Sequence, residues 1–105
     1  PNAHIASNEP GSAFDSPTRP VTLRPETVRY IPTDDVVQGA VSDRAVTLGI
    51  GTILKAREVV VLVSGRAKRA PLERALDGPI TPAVPATALR LHPRCTILAD
   101  RDAAP

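Results

Sequence analysis

The sequence has no tryptophan, no methionine, one cysteine and only two aromatic residues, Phe14 and Tyr30. Each scarcity excludes something. A lone thiol, Cys95, cannot close an internal disulfide, so a disulfide-stapled secreted scaffold is out. No apolar run reaches the roughly 18 residues that a membrane-spanning helix needs, so no membrane partner is expected. The opening Pro1-Asn2-Ala3-His4 offers neither the basic nor the apolar segment of a secretory signal, and the expected localisation is cytoplasmic. An excess of one charge is also missing, because 13 basic and 11 acidic residues are well mixed and leave a net +2. With few aromatics and no basic cluster beyond residues 66–69, nucleic acid is not an expected partner.

What is present can still fold. Leu, Ile, Val and Phe make up about a quarter of the chain, above the ~20% below which disorder is expected. At 105 residues the chain is one domain or part of one. Its 12 prolines are many for a compact domain. Residues 1–44 show no sustained helical period and read as an irregular segment rich in Asn, Ser, Asp, Pro and Thr. Residues 45–100 are regular and read as helix, strand, helix, short helix, strand. Ala45–Leu54 reads as a helix with Val46, Ile50, Ile53 and Leu54 on one face. Glu58–Val63 reads as a strand buried on both faces, as in a parallel sheet. Arg66–Leu76 reads as a helix stopped by Asp77-Gly78. Pro85–Leu91 reads as a short helix and Cys95–Ala99 as a second strand. Strands alternating with helices predict an α/β fold with parallel crossovers. Two strands alone make no stable sheet, so the rest of the sheet comes from the first half or from outside the chain.

Two segments carry chemistry. Asn2-Ala3-His4-Ile5-Ala6-Ser7-Asn8-Glu9 puts a carboxamide, an imidazole and a carboxylate within eight residues. In an extended start, Asn2 and His4 share a side, and a bend after Ser7 returns Glu9 to the ring. A carboxylate on one ring nitrogen fixes the tautomer and frees the other for proton transfer. The bland alternative is a surface loop with an incidental histidine. The second segment is Val63-Ser64-Gly65-Arg66-Ala67-Lys68, a strand running through a turn into a helix start. That geometry presents backbone N–H groups and two cations to an anion, and the alternative is a solvated basic turn. His4, His92 and Cys95 lack zinc-ligand spacing. His92-Pro93 reads as a helix end and Cys95 as a core position. Neither a metal nor a cofactor is expected.

The residues resemble a known family. His4-Ile5-Ala6-Ser7-Asn8-Glu9-Pro10 resembles the signature of glucosamine-6-phosphate deaminases. Phe14–Arg19, Ala45–Leu54, Val63–Lys68 and Ala86–Pro93 resemble later blocks of that family, in family order. The resemblance implies a Rossmann-like three-layer α/β/α fold with a mostly parallel sheet, here as its C-terminal portion across 1–105. It implies conversion of glucosamine 6-phosphate to fructose 6-phosphate and ammonia. His4 then matches the acid/base that opens the sugar ring, with Asn2 and Glu9 flanking it. Lys68 and Arg29 match ligands of the substrate phosphate. Arg19 matches an arginine of the allosteric site of some members, where the usual lysine two positions on is Val21.

A small-molecule sugar phosphate is the implied partner, and a homo-oligomer is left open. Ala3 replaces a family glycine and Ser7 an aromatic. The family's proton-transfer aspartate and most of its sheet precede this signature, so the chain reads as about the last two-fifths of a larger domain, inactive and marginally folded alone. A 6-phosphogluconolactonase-like hydrolase is the nearest enzymatic alternative, and Ile5 and Asn8-Glu9-Pro10 favour the deaminase. The other alternative is a non-catalytic sugar-phosphate-binding protein.

Overall fold

A computed structural model describes residues 2–29 and 42–105. The chain forms strand β1 (Arg19–Thr22), helix α1 (Pro25–Val28), strand β2 (Arg44–Thr47), helix α2 (Ile50–Leu54) and strand β3 (Val59–Val63). A 3-10 turn (Arg66–Lys68), helix α3 (Arg69–Asp77), a 3-10 helix (Pro85–Leu91) and strand β4 (Cys95–Ala99) follow. Among the described residues the strands make two separate pairs. β1 and β2 are antiparallel, with Arg19 opposite Thr47. β3 and β4 are parallel, with Val59 opposite Cys95.

The parallel pair is the α/β unit that the sequence predicts. Its β-branched run suits a pleated surface, and the connection through α3 and the 3-10 helix supplies the crossover that parallel strands need. Leu72, Ala75, Ala88 and Leu89 from that crossover are buried, as are Pro85 and Thr87. The buried Thr87 hydroxyl accepts the Thr81 N–H at 2.9 Å and sits 2.7 Å from the Val84 carbonyl. The helix of 66–76 is corrected in detail: its first three residues form a 3-10 turn, and the α-helix runs Arg69–Asp77. Pro71 lies in its first turn, where a missing N–H costs least.

Burial of β3 on both faces is not what the structure shows. Val59, Val61 and Val63 are half-buried, while Val60 is 56% and Leu62 77% exposed. The helices cover one face, so the described residues supply two layers of the expected three. On the other face Leu98 of β4 is also exposed.

The helix over 45–54 is wrong in its first half. Arg44–Thr47 is a strand, and only Ile50–Leu54 is helical. Val46, assigned to the buried face, is 74% exposed. The helix starts after Gly49 because a distant loop caps it. Ser16 Oγ accepts the Ile50 N–H at 3.2 Å, and the Ser16 carbonyl accepts the Gly51 N–H at 3.0 Å. That contact is so close that a Cβ on Gly49 would fall 2.0 Å from the Ser16 carbonyl oxygen. Ile50 is fully buried beneath it. Residues 1–44 are therefore less irregular than expected, since they contribute β1 and α1.

Candidate active site

The first residues fold back on themselves. The Asn8 N–H donates to the Ile5 carbonyl at 2.9 Å across a turn at Ala6-Ser7. Ala3 and Ala6 take positive φ values of 60° and 48°, a region that costs an L-residue roughly 1–2 kcal/mol. Ala6 is exposed, whereas Ala3 buries its methyl group. Ala6→Gly should therefore stabilise the chain by about 0.5–1 kcal/mol after the entropy cost of glycine. Ala3→Gly should be near neutral, because it also forfeits about 0.8 kcal/mol of methyl burial. Urea midpoints check both, and an equal gain at the two sites would contradict the burial argument.

The turn brings the three predicted residues together. His4 Nδ1 lies 2.6 Å from Asn2 Oδ1. An amide oxygen only accepts, so Nδ1 carries the proton and Nε2 keeps a free lone pair. Glu9 Oε1 stands 3.9 Å from the same Nδ1, an ion-pair distance rather than a hydrogen bond. Burial is the largest influence on His4 and pushes its pKa below the ordinary 6.5, with Lys68 acting in the same direction and Glu9 opposing both.

Glu9 is held by residues far along the chain. Its Oε2 accepts the Arg24 N–H at 2.8 Å and its Oε1 accepts the Thr27 hydroxyl at 2.5 Å. Burial is the largest influence here too and raises its pKa. The hydrogen bonds from Thr27 and Arg24, helped by the nearby Asn2 amide and His4, outweigh burial and leave the carboxyl lowered. Asn2 Nδ2 itself makes no hydrogen bond among the described residues, so its effect on Glu9 is that of a nearby dipole.

His4 faces a cleft of about 210 Å³ that Lys68, Ser64, Val63, Leu72 and Leu89 also line. The cleft opens at the carboxyl end of β3, where ligands bind in open α/β sheets. Gly65 shapes the turn there with φ 92°, open to glycine at no steric cost. Its N–H is not free for an anion, as the sequence suggests. The Asp100 carboxylate accepts it at 3.1 and 3.2 Å. The Lys68 N–H is also taken, by the Gly65 carbonyl at 3.0 Å. The anion-binding capacity of this turn therefore rests on side-chain charge, with Lys68 exposed on the cleft.

The other candidates lie elsewhere. Arg29 is the exposed residue ending α1 and does not line the cleft. Its partners in the motif, Tyr30 and Ile31, lie outside the described residues. Arg19 is turned inward. Its Nη1 donates to Asn8 Oδ1 at 2.9 Å and to the Pro17 carbonyl at 3.1 Å, and Nη2 lies 3.5 Å from Ser12 Oγ. His92 ends the 3-10 helix as expected, with Nε2 donating to the Ala56 carbonyl at 2.6 Å and Nδ1 accepting the Arg94 N–H at 3.0 Å. Cys95 is half-buried, and burial raises its thiol pKa. The residues missed from sequence are Arg24 and Thr27. The one available signal was Pro25, a helix-start proline whose helix needs an acceptor for its first N–H groups.

Fold and site define the class: an α/β protein with a part-buried imidazole facing a lysine across a cleft at the carboxyl end of a parallel strand. Comparison with known proteins narrows it. No family model matches. Among curated proteins, the glucosamine-6-phosphate deaminase of Bacillus velezensis is 43% identical over 98% of this chain and 43% of its own length. Glucosamine-6-phosphate deaminase 1 of Bacillus subtilis is 42% identical over the same shares, and the deaminase of Rhodopirellula baltica is 42% identical over 98% of this chain and 41% of its own. A solved structure of a monomeric glucosamine-6-phosphate deaminase, described as a missing link of the NagB superfamily, superposes with a TM-score of 0.85 at 42% identity. That match covers 97% of this chain and 42% of the other. Over nearly its whole length the chain is thus similar to glucosamine-6-phosphate deaminases, and it spans about two-fifths of the length of the relatives it matches.

Proposed function

We propose that this chain supplies the ring-opening and part of the phosphate-binding side of a glucosamine-6-phosphate deaminase. The observation that carries the reading is the Asn2–His4–Glu9 set facing Lys68 across one cleft. With Nδ1 protonated toward Asn2, the His4 Nε2 lone pair takes the proton of the anomeric hydroxyl. It returns that proton to the ring oxygen as the bond from C1 to the ring oxygen breaks, so the open-chain aldehyde forms with no net change in charge. Glu9 stays ionised nearby and stabilises the transient imidazolium. Lys68 neutralises part of the 6-phosphate. Aldose–ketose isomerisation and loss of the amine as ammonia follow, with net consumption of water, which makes the reaction hydrolytic overall.

The aspartate that moves the proton between C1 and C2 belongs, by family resemblance, to sequence outside this chain. Arg29 is a second phosphate ligand in this reading. Arg19, tied to Asn8, lacks the neighbouring cation of the regulated members, so regulation by N-acetylglucosamine 6-phosphate at that position is weak or absent. Cytoplasmic catabolism of N-acetylglucosamine is the setting that fits, and a homo-oligomer is compatible with it. No helix among the described residues is long and apolar enough to cross a membrane.

The test is ammonia release from glucosamine 6-phosphate by a longer protein that carries this chain. Turnover supports the reading, and its absence in a folded protein defeats it. The 105-residue chain alone should release no ammonia above background, because it spans only about 43% of its relatives' length. Measurable turnover by the chain alone would contradict that expectation.

A further inference from the structure

The Glu9 carboxylate stands next to an imidazole N–H yet does not bond to it. Oε1 is 3.9 Å from His4 Nδ1, whereas the neutral Asn2 oxygen accepts that proton at 2.6 Å. A charged acceptor makes the stronger hydrogen bond, so something restrains the carboxylate. Both of its oxygens are already occupied. Oε2 takes the Arg24 N–H at 2.8 Å, and Oε1, the atom nearest His4, takes the Thr27 hydroxyl at 2.5 Å. The start of α1 is itself anchored. The Thr27 N–H donates to the Arg24 carbonyl at 3.0 Å, and Arg24 Nη2 donates to the Pro10 carbonyl at 3.0 Å.

We propose that Thr27 is a positioning residue that holds the Glu9 carboxylate off the His4 ring and leaves Asn2 as the partner that sets the tautomer. This deepens the deaminase reading and rests on it only for why the imidazole matters. Thr27 lies 18 residues beyond Glu9 and outside the signature that identifies the site. Its hydroxyl decides whether the carboxylate acts on His4 through space or through a direct bond. Through space, the imidazole stays a weaker base and its proton is easier to hand to a sugar oxygen. The charged side chains that act on His4 are Glu9 and Lys68. Only Glu9 is tied to Thr27.

The test is an NMR titration of His4 in the longer protein that carries this chain, with His4→Gln to assign the signal. Thr27→Val removes the hydroxyl and keeps the shape. The freed carboxylate should then close on Nδ1–H and move the His4 midpoint to higher pH by about one pH unit. Thr27→Ser keeps the hydroxyl and should titrate like the wild type. The proposal is overturned if Val leaves the midpoint in place or lowers it, or if Ser moves it as far as Val does. Thr27→Ala provides a second variant if Val disturbs folding. If both unfold, the wild type decides: a slowly exchanging Thr27 hydroxyl proton that shifts as Glu9 titrates is expected, and its absence overturns the idea. An unmoved midpoint defeats this inference alone, whereas missing ammonia release defeats the deaminase reading alone.

Discussion

His4→Ala in a longer protein carrying this chain is expected to lower the rate of ammonia release by about 10²–10⁴-fold, with the fold intact. Three features support a loss of this size. Positioned proton transfer contributes that much to typical acid/base steps, and His4 is the one imidazole on the cleft, since His92 has both ring nitrogens committed to the backbone. The ring is half-exposed and makes one side-chain hydrogen bond, to Asn2, so its removal costs little stability. A large kinetic loss with an unchanged urea midpoint is therefore the expected pair of results. A loss of less than tenfold would mean that another group opens the ring.

The same residue sets the acid limb of the pH profile. Burial first, and then Lys68, hold the His4 pKa below 6.5 despite the opposing pull of Glu9. The active form of the proposed base is neutral, so it is fully present above that lowered pKa. The rate should hold as the pH falls from 8 and reach half its plateau only below pH 6.5, as protonated His4 comes to prevail. A profile that already falls between pH 8 and 7 would place a raised pKa on the base and contradict the burial argument. Substrate binding would respond differently. Loss of the Lys68 charge would raise KM more than it lowers kcat, because in the proposed reading that cation would hold the phosphate equally in ground and transition states.

Much of this site was legible because it is local. Asn2, His4 and Glu9 fall within eight residues, and one turn is enough to join them. The parallel pairing of β3 and β4 was legible from a β-branched run, a helical crossover and a second short apolar run. The parts that were not legible depend on contacts between distant segments. Val46 has the apolar spacing of a helix with Ile50, Ile53 and Leu54, but pairing with β1 at a separation of more than 20 residues makes its segment a strand. The helix start at Ile50 is fixed by Ser16, 34 residues earlier. Thr27 and Arg24 reach Glu9 across 18 and 15 residues. No periodicity records such a contact, and the β-branched preference of Val and Thr for strands is too weak by itself to overrule a helical pattern.

Asn8 is where local and distant contacts meet, and Asn8→Ala is expected to cost about 3.5–5 kcal/mol. The side chain is fully buried. Its Nδ2 donates to the Ile5 carbonyl at 3.0 Å and to the Leu48 carbonyl at 2.7 Å, and its Oδ1 accepts from Arg19 at 2.9 Å. Two neutral hydrogen bonds contribute about 1 kcal/mol each and the charged one about 1.5–3, before any cavity term. The two carbonyls are not orphaned, because the Asn8 N–H still reaches Ile5 and the Thr47 hydroxyl still reaches Leu48, which keeps the total from rising further. A loss of this size takes a large share of the 5–15 kcal/mol that holds a typical domain together. Asn8→Asp separates the terms. An aspartate still accepts from Arg19 but has no N–H for either carbonyl, so it sets a negative charge against two oxygens. It should be at least as destabilising as alanine near pH 7 and recover as the pH falls and the carboxyl gains a proton to donate. Urea midpoints at pH 7 and pH 4.5 check both variants. An Asn8→Asp protein as stable as the wild type at pH 7 would mean that the Arg19 bond alone holds the loop, and that the two carbonyl contacts contribute nothing.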